Sequence, residues 1–355
     1  MRRYLLGSAI VFVVAVWVLW RTEPRQVPNL NGFAAVAGDW PSATIDPGFA
    51  YTLRVPLGQM VYQLLPHQNP TTFYLLHFAC LLLVAALIGV WLFKRIGAHQ
   101  GMLAACILLL APITPVLLLW VGMYDAFSML AWTLLLISLD HGRRAQFAAA
   151  ALAGFQNFEQ SLVGMLVLLL IPALWRGAGW APRVIALLAG LVAGKVLLEL
   201  LLSDFGAVAG DRISYLLDDG KGFDLVTSAT SALPVLLWSA LGGLWIFAVL
   251  GLRAAWGSWD WRRRAMLAAA FTFWMSSGVL AEDQTRVLAL TSFPAVMAGA
   301  IILASRYQDV LRFAGHPSAW VLLIAPPLVL WNNEFIPLAE SSADDPDTQL
   351  AGVNR

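Results

Sequence analysis

Residues 145–175 read AQFAAAALAGFQNFEQSLVGMLVLLLIPALW, and how this segment threads a bilayer sets the topology of everything after it. It is apolar except for Gly154-Phe155-Gln156-Asn157-Phe158-Glu159-Gln160-Ser161 in its middle. One tilted helix through it would leave the Glu159 carboxylate in hydrocarbon, at a cost of roughly 2.5 kcal/mol or more. A hairpin would instead rise from Arg144, turn at the polar octet and descend to Arg176. Glu159 then lies at a tip within the outer half of the membrane, lining a wet or protein-walled cleft.

The flanking charges separate the two threadings. Fourteen of the 22 Lys and Arg residues lie in six clusters between apolar runs: Arg2-Arg3, Lys94-Arg95, Arg143-Arg144, Arg176 to Arg183, Arg253 to Arg264 and Arg306 to Arg312. Seventeen of the 21 acids lie in the alternate gaps, at Glu23, Asp39 and Asp46, at Asp125, at Glu159, from Asp204 to Asp224, at Glu282-Asp283 and in the tail. Lys and Arg mark the cytoplasmic ends of membrane spans. The single-helix threading puts Arg253 and Arg262 to Arg264 outside; the hairpin puts all six clusters inside. The sequence therefore predicts an all-α polytopic membrane protein of about eleven membrane segments, N-terminus in and C-terminus out.

Composition agrees. With 60% hydrophobic and 12% charged residues, the chain is too apolar for a soluble domain of 355 residues. Apolar runs occupy 4–20, 72–93, 101–121, 124–139, 184–203, 232–252, 265–280, 287–304 and 318–333. The first follows Arg2-Arg3 and has no small-residue cleavage site after Val18-Leu19-Trp20, so it reads as a retained anchor. Residues 1–333 form one transmembrane domain, 21–71 and 204–231 are large outer loops, and 334–355 is an acidic tail expected to be disordered. Within the first loop, Phe49, Leu53, Leu57, Val61, Leu64 and Leu65 fall at helical spacing, with Arg54 and Gln59 off the stripe. They predict an amphipathic interfacial helix. Cys80 and Cys106 lie inside apolar runs and imply neither a disulfide nor a thiolate metal site.

The chain has no nucleotide-binding loop, nucleophile elbow or paired-histidine motif where this topology would let it act, and no basic patch for nucleic acid. Chemistry is left to polar residues of the outer face: Asp39, Asp46, Asp125, Glu159, Glu282, Asp283 and Arg286. Asp39 and Asp46 sit beside Gly and Pro, where turn formation competes with function. Asp125 opens an apolar run and suits a helix cap. Arg286, a lone cation on the acidic side, can hold a phosphate as a planar fork or pair with Glu282 or Asp283. Lys195 and Glu199 stand one helical turn apart, placed to pair with each other or, for Lys195, to reach an anionic ligand.

Taken in order, these features resemble the GT-C superfamily of polytopic glycosyltransferases, which use polyprenyl-phosphate-linked sugars; examples are the protein O-mannosyltransferases and the lipid A aminoarabinose transferases. The likeness rests on a first span followed by a long acidic loop, on Tyr124-Asp125, on the Phe158-Glu159 tip and on Asp283-Gln284-Thr285-Arg286. The family's tip Arg is replaced here by Asn157. The resemblance implies an inverting enzyme of the plasma membrane with its site on the extracytoplasmic side. Asp39 or Asp46 would be the base, and Asp125, Glu159, Asp283, Arg286 and Lys195 would line the substrate site. The donor would be a polyprenyl-phosphate sugar drawn from the membrane lipid phase. The acceptor would be a glycan, glycolipid or protein in envelope assembly. Some relatives use a divalent metal; the sequence assigns none here. A lipid or solute transporter and a noncatalytic envelope-assembly subunit are the rival readings.

Overall fold

A computed structural model describes residues 2–41, 52–171, 174–175, 180–205, 221–257, 259–281, 284–324, 329–331 and 334–336. The helices are α1 (Arg2–Thr22), α2 (Leu30–Asp39), α3 (Pro56–Gln63), α4 (Pro70–Ile96), α5 (Ala98–Leu110), α6 (Ile113–Leu119), α7 (Asp125–Ser138), α8 (Arg143–Leu169) and α9 (Trp180–Asp204). They continue as α10 (Lys221–Ser231), α11 (Leu233–Leu241), α12 (Leu244–Trp256), α13 (Trp261–Val279), α14 (Gln284–Thr291), α15 (Phe293–Tyr307), α16 (Val310–Ala314) and α17 (Pro317–Ile324). Three helices are long and apolar enough to cross a membrane, or up to six if each bent pair is one span. Large apolar side chains such as Phe12, Leu197 and Leu200 point outward, as lipid-facing positions do. The chain is a helical membrane protein.

The helix α8 is the deciding segment, and it is not straight. At Asn157 the backbone leaves the helical region (φ −162°, ψ 90°). The Ser161 hydroxyl donates to the Ala153 carbonyl at 3.0 Å. In a continuous helix, eight residues would separate that pair by about 12 Å. The ends give the same answer. The Arg95 guanidinium donates to Asp140, just before α8, at 2.8 Å and to the Leu174 carbonyl, just after it, at 2.7 Å. A straight 27-residue helix would hold those ends about 40 Å apart. The segment is a hairpin with two limbs. Asn157 makes the turn workable, because its side-chain oxygen accepts from the Gln160 amide at 3.2 Å and caps the second limb.

The first limb is clamped to α9 by glycines. A Cβ on Gly154 would lie 2.1 Å from the Leu191 carbonyl oxygen. One on Gly190 would lie 2.3 Å from the Phe147 oxygen, and one on Gly194 would lie 2.0 Å from the Ala151 oxygen. Backbone touches backbone along this crossing, as small residues allow between membrane helices.

Elsewhere the apolar runs are more broken than expected. Run 101–121 is α5 and α6, bent by 55°; run 232–252 is α11 and α12, bent by 91°; run 287–304 belongs to α14 and α15, bent by 53°. Pro112 and Pro294 lack the amide a continuing helix needs, and Gly242 takes a positive φ of 52°. The last run, 318–333, is corrected too. The helix α17 is described as far as Ile324, and β1 (Val329–Trp331) pairs antiparallel with β2 (Glu334–Ile336).

The first loop holds two helices where one was expected. The predicted stripe does not all turn inward: Leu53 is buried, Val61 and Leu64 are exposed, and the buried face of α3 is Gly58, Gln59 and Tyr62. Phe49 lies outside the described residues.

Candidate functional site

The hairpin tip, α9 and the first loop meet at one end of the bundle. Glu159 lies just past the turn, and Lys195 and Glu199 lie a turn apart on α9. Arg54 precedes α3. Lys195 Nζ is 2.7 Å from Glu199 and 3.3 Å from Glu159. Arg54 is 3.4 Å from Glu199 and 4.0 Å from Glu159. Each cation thus faces both acids in a closed, charge-balanced square. Side-chain exposure is 20% for both cations and about 40% for the acids, so the square is reachable from solvent.

The Lys195–Glu199 pair was readable from its spacing. In the sequence Arg54 stands off the apolar stripe of the first loop. Nothing local shows that it meets Glu159, more than a hundred residues away.

Asp39 ends α2 and is exposed. Acids are favoured at a helix N-terminus, and at the C-terminus the macrodipole opposes them. The helix therefore gives no reason for an acid at this position. Its neighbours are tightly placed. Trp40 Nε1 donates to the Leu53 carbonyl at 3.2 Å, and its ring packs with Leu53, Leu198 and Leu202. Gln63 Nε2 donates to the carbonyls of Ala37, Gly38 and Trp40, satisfying the open end of α2. Asp39 and Arg54 flank the two residues joined by the Trp40–Leu53 bond. Asp46 lies outside the described residues, as do Glu282 and Asp283.

Asp125 and Arg286 do not join the square. They are buried, with side-chain exposures of 4% and 3%. The Arg286 guanidinium donates to both Asp125 oxygens at 3.2 Å and to the Tyr124 hydroxyl at 3.0 Å, lying 4.9 Å above the Tyr124 ring. The capping role expected of Asp125 is corrected here. Tyr124 holds the cap position without a side-chain bond, and the Asp125 carboxylate turns to Arg286. Arg286 was expected to hold a phosphate or to pair with Glu282 or Asp283; among the described residues its guanidinium meets Asp125 and Tyr124.

Gln156, inside the polar octet, links the two regions. It is fully buried. Its oxygen accepts from the Leu57 amide at 2.9 Å, one of the unpaired amides opening α3. Its nitrogen donates to the Tyr124 carbonyl at 3.3 Å and the Ser128 hydroxyl at 3.4 Å. A polar thread thus runs from Arg286 through Tyr124 and Gln156 to the start of α3, just after Arg54.

The carboxylates of the square face cations and not one another, and no group of three or more His, Cys, Asp or Glu among the described residues could hold a metal ion. No known protein family, curated protein or solved structure matches the chain.

Proposed function

We propose that the protein is a membrane glycosyltransferase of GT-C type that moves a sugar from a polyprenyl-phosphate donor to an extracytoplasmic acceptor. The observation that carries this reading is the convergence of the Asp39-bearing loop with the Arg54–Glu159–Lys195–Glu199 square. Together they offer what such a transfer needs. A carboxylate accepts the acceptor's hydroxyl proton. Two cations, Arg54 and Lys195, face the charge that develops on the leaving phosphate. Glu159 and Glu199 hold those cations in place before donor arrives and accept hydrogen bonds from sugar hydroxyls once it is bound. Asp125 and Arg286 serve the site from behind, by fixing Tyr124 and, through Gln156, α3. The acceptor oxygen bonds to the anomeric carbon as the bond to the phosphate oxygen breaks, and the lipid phosphate departs as an anion.

In this reading about eleven segments cross or enter the plasma membrane, with the square on the extracytoplasmic face. A cysteine replacing exposed Asp204 should then label in intact cells, and one replacing exposed Arg143 only after permeabilisation. Labelling of both from one side removes the assigned orientation.

The three bent helix pairs favour a second reading, a lipid transporter with irregular backbone lining its path. Incubating purified protein with a polyprenyl-phosphate sugar and an acceptor glycan or glycolipid separates the two. The enzyme releases polyprenyl phosphate, whereas a transporter returns the donor intact.

A further inference from the structure

Residues 253–264, RAAWGSWDWRRR, run from the end of α12 into α13 and set four Arg and three Trp against one acid. That acid, Asp260, is already engaged: its carboxylate accepts from the Arg263 amide at 2.9 Å and caps α13. Two of the Arg heads lie on Trp rings. The Arg264 guanidinium sits 5.0 Å from the Trp256 ring centre and donates to the Trp256 carbonyl at 2.8 Å. Arg262 sits 5.7 Å from the Trp261 ring centre. Arg253, Arg262, Arg263, Trp256 and Trp261 are all exposed, Trp261 at 73%.

Neither helix accounts for this density. Arg264 serves α12, whose last carbonyls need donors. For α13 the cations do the reverse: its first turn carries three Arg and no acid, at the end where the macrodipole disfavours positive charge. Orientation in the membrane is served by Lys and Arg anywhere within about 15–20 residues of a span, so it does not call for three in a row beside exposed Trp. The helix behind them is also set apart. No residue from 261 to 273 is buried, and α13 packs by Trp274, Met275 and Gly278 near its other end. About 20 Å of α13 thus lies along the outside of the bundle. Met266, Phe271 and Phe273 are exposed along it.

We propose that the corner formed by Arg253, Trp256, Trp261, Arg262 and Arg263 binds the headgroups of anionic phospholipids in the leaflet it faces. The order of chemistry along α13 matches that partner. Its apolar flank suits acyl chains, the Trp rings suit the headgroup boundary, and the guanidinium forks beyond them suit phosphate oxygens. An acidic protein would meet the guanidinium groups equally well but would not use the apolar flank that continues from them. The corner shares no residue with the charged square and stands independently of the transfer reaction.

Native mass spectrometry of the full-length protein in detergent tests this, with equimolar phosphatidylglycerol and phosphatidylcholine of matched chains as probes. The wild type should retain phosphatidylglycerol preferentially. Arg262→Gln with Arg263→Gln should cut the ratio of the two retained lipids about tenfold or more, the effect of two Arg side chains near an anionic headgroup. Arg253 and Arg264 stay in that variant to hold the loop's orientation. Arg143→Gln with Arg144→Gln, an exposed basic pair elsewhere, should leave the ratio near the wild-type value. No preference in the wild type, an unchanged ratio in the first variant or an equal fall in the second overturns the proposal. A dimer lost in the first variant at constant lipid ratio would assign the corner to a second copy of the chain, and overturns it too. Should the first variant misfold, a photoreactive phosphatidylglycerol crosslinked to the wild type in liposomes and mapped by peptide carries the test. Labelling of 253–264 above that around Arg143 and Arg144 supports the proposal, and labelling no higher there overturns it.

Discussion

Asp39→Asn is expected to lower sugar transfer by about 10²–10⁴-fold, the loss associated with removing a general base. The substitution keeps the shape and removes the proton-accepting charge. It should leave the fold alone. Asp39 is exposed, its carboxylate has no ion pair or hydrogen bond among the described residues, and surface changes of this kind stay within about 0.5 kcal/mol. Initial rates of polyprenyl phosphate release and melting temperature, measured on the same purified sample, check both halves of the expectation. If Asp39→Asn turns over normally while Asp46→Asn does not, the base belongs to Asp46. Normal turnover in both variants would leave the first loop without a base and would sink the proposed chemistry.

Arg286→Ala should act in the opposite way, through stability. Removing it leaves Asp125 ionised and buried at 4% side-chain exposure, without the guanidinium that now faces it. Breaking a buried pair from one side costs about 3–5 kcal/mol. Neutralising both partners together, as Asp125→Leu with Arg286→Met, removes the stranded charge and should recover most of that loss. Thermal unfolding of the single and double variants in one detergent reads the difference. A double variant no more stable than the single one would show that the pair is not the source of the loss. Arg286→Lys is expected to be intermediate, since it keeps the charge but not the fork that meets both carboxylate oxygens and Tyr124.

These two residues also show what could be read from sequence and what could not. Membrane character, the fold-back near Glu159 and the Lys195–Glu199 pair were legible because each rests on a local signal. Those signals are apolar run length, a polar interruption inside a long run, and a one-turn spacing. The Gly154, Gly190 and Gly194 clamp was partly legible, since Gly190 and Gly194 stand four apart, but the pattern does not say which helix it meets. Pairings across the fold were not legible at all. Arg286 finds Asp125 across 161 positions, and Gln156 finds Leu57 across 99. Such contacts follow from how helices stack and leave no periodic trace in the chain. Asn157 is a further case. Against the resembled family it reads as a missing Arg, whereas in the fold it supplies the cap that the turn requires.

The glycine clamp also constrains how the protein is made. The first limb of the hairpin, from Arg143 to Gln156, is about 21 Å long, short of the roughly 30 Å of hydrocarbon it must enter. In the proposed topology the turn lies part way across the bilayer, and neither limb alone is long enough to span it. A nascent chain ending near residue 175 lacks the groove that Gly190 and Gly194 provide, while one extending through Asp204 contains it. The proposed topology therefore expects integration of the hairpin to depend on synthesis of the helix that follows. In that topology the tip that carries Glu159 reaches its packed position only when that later helix has arrived.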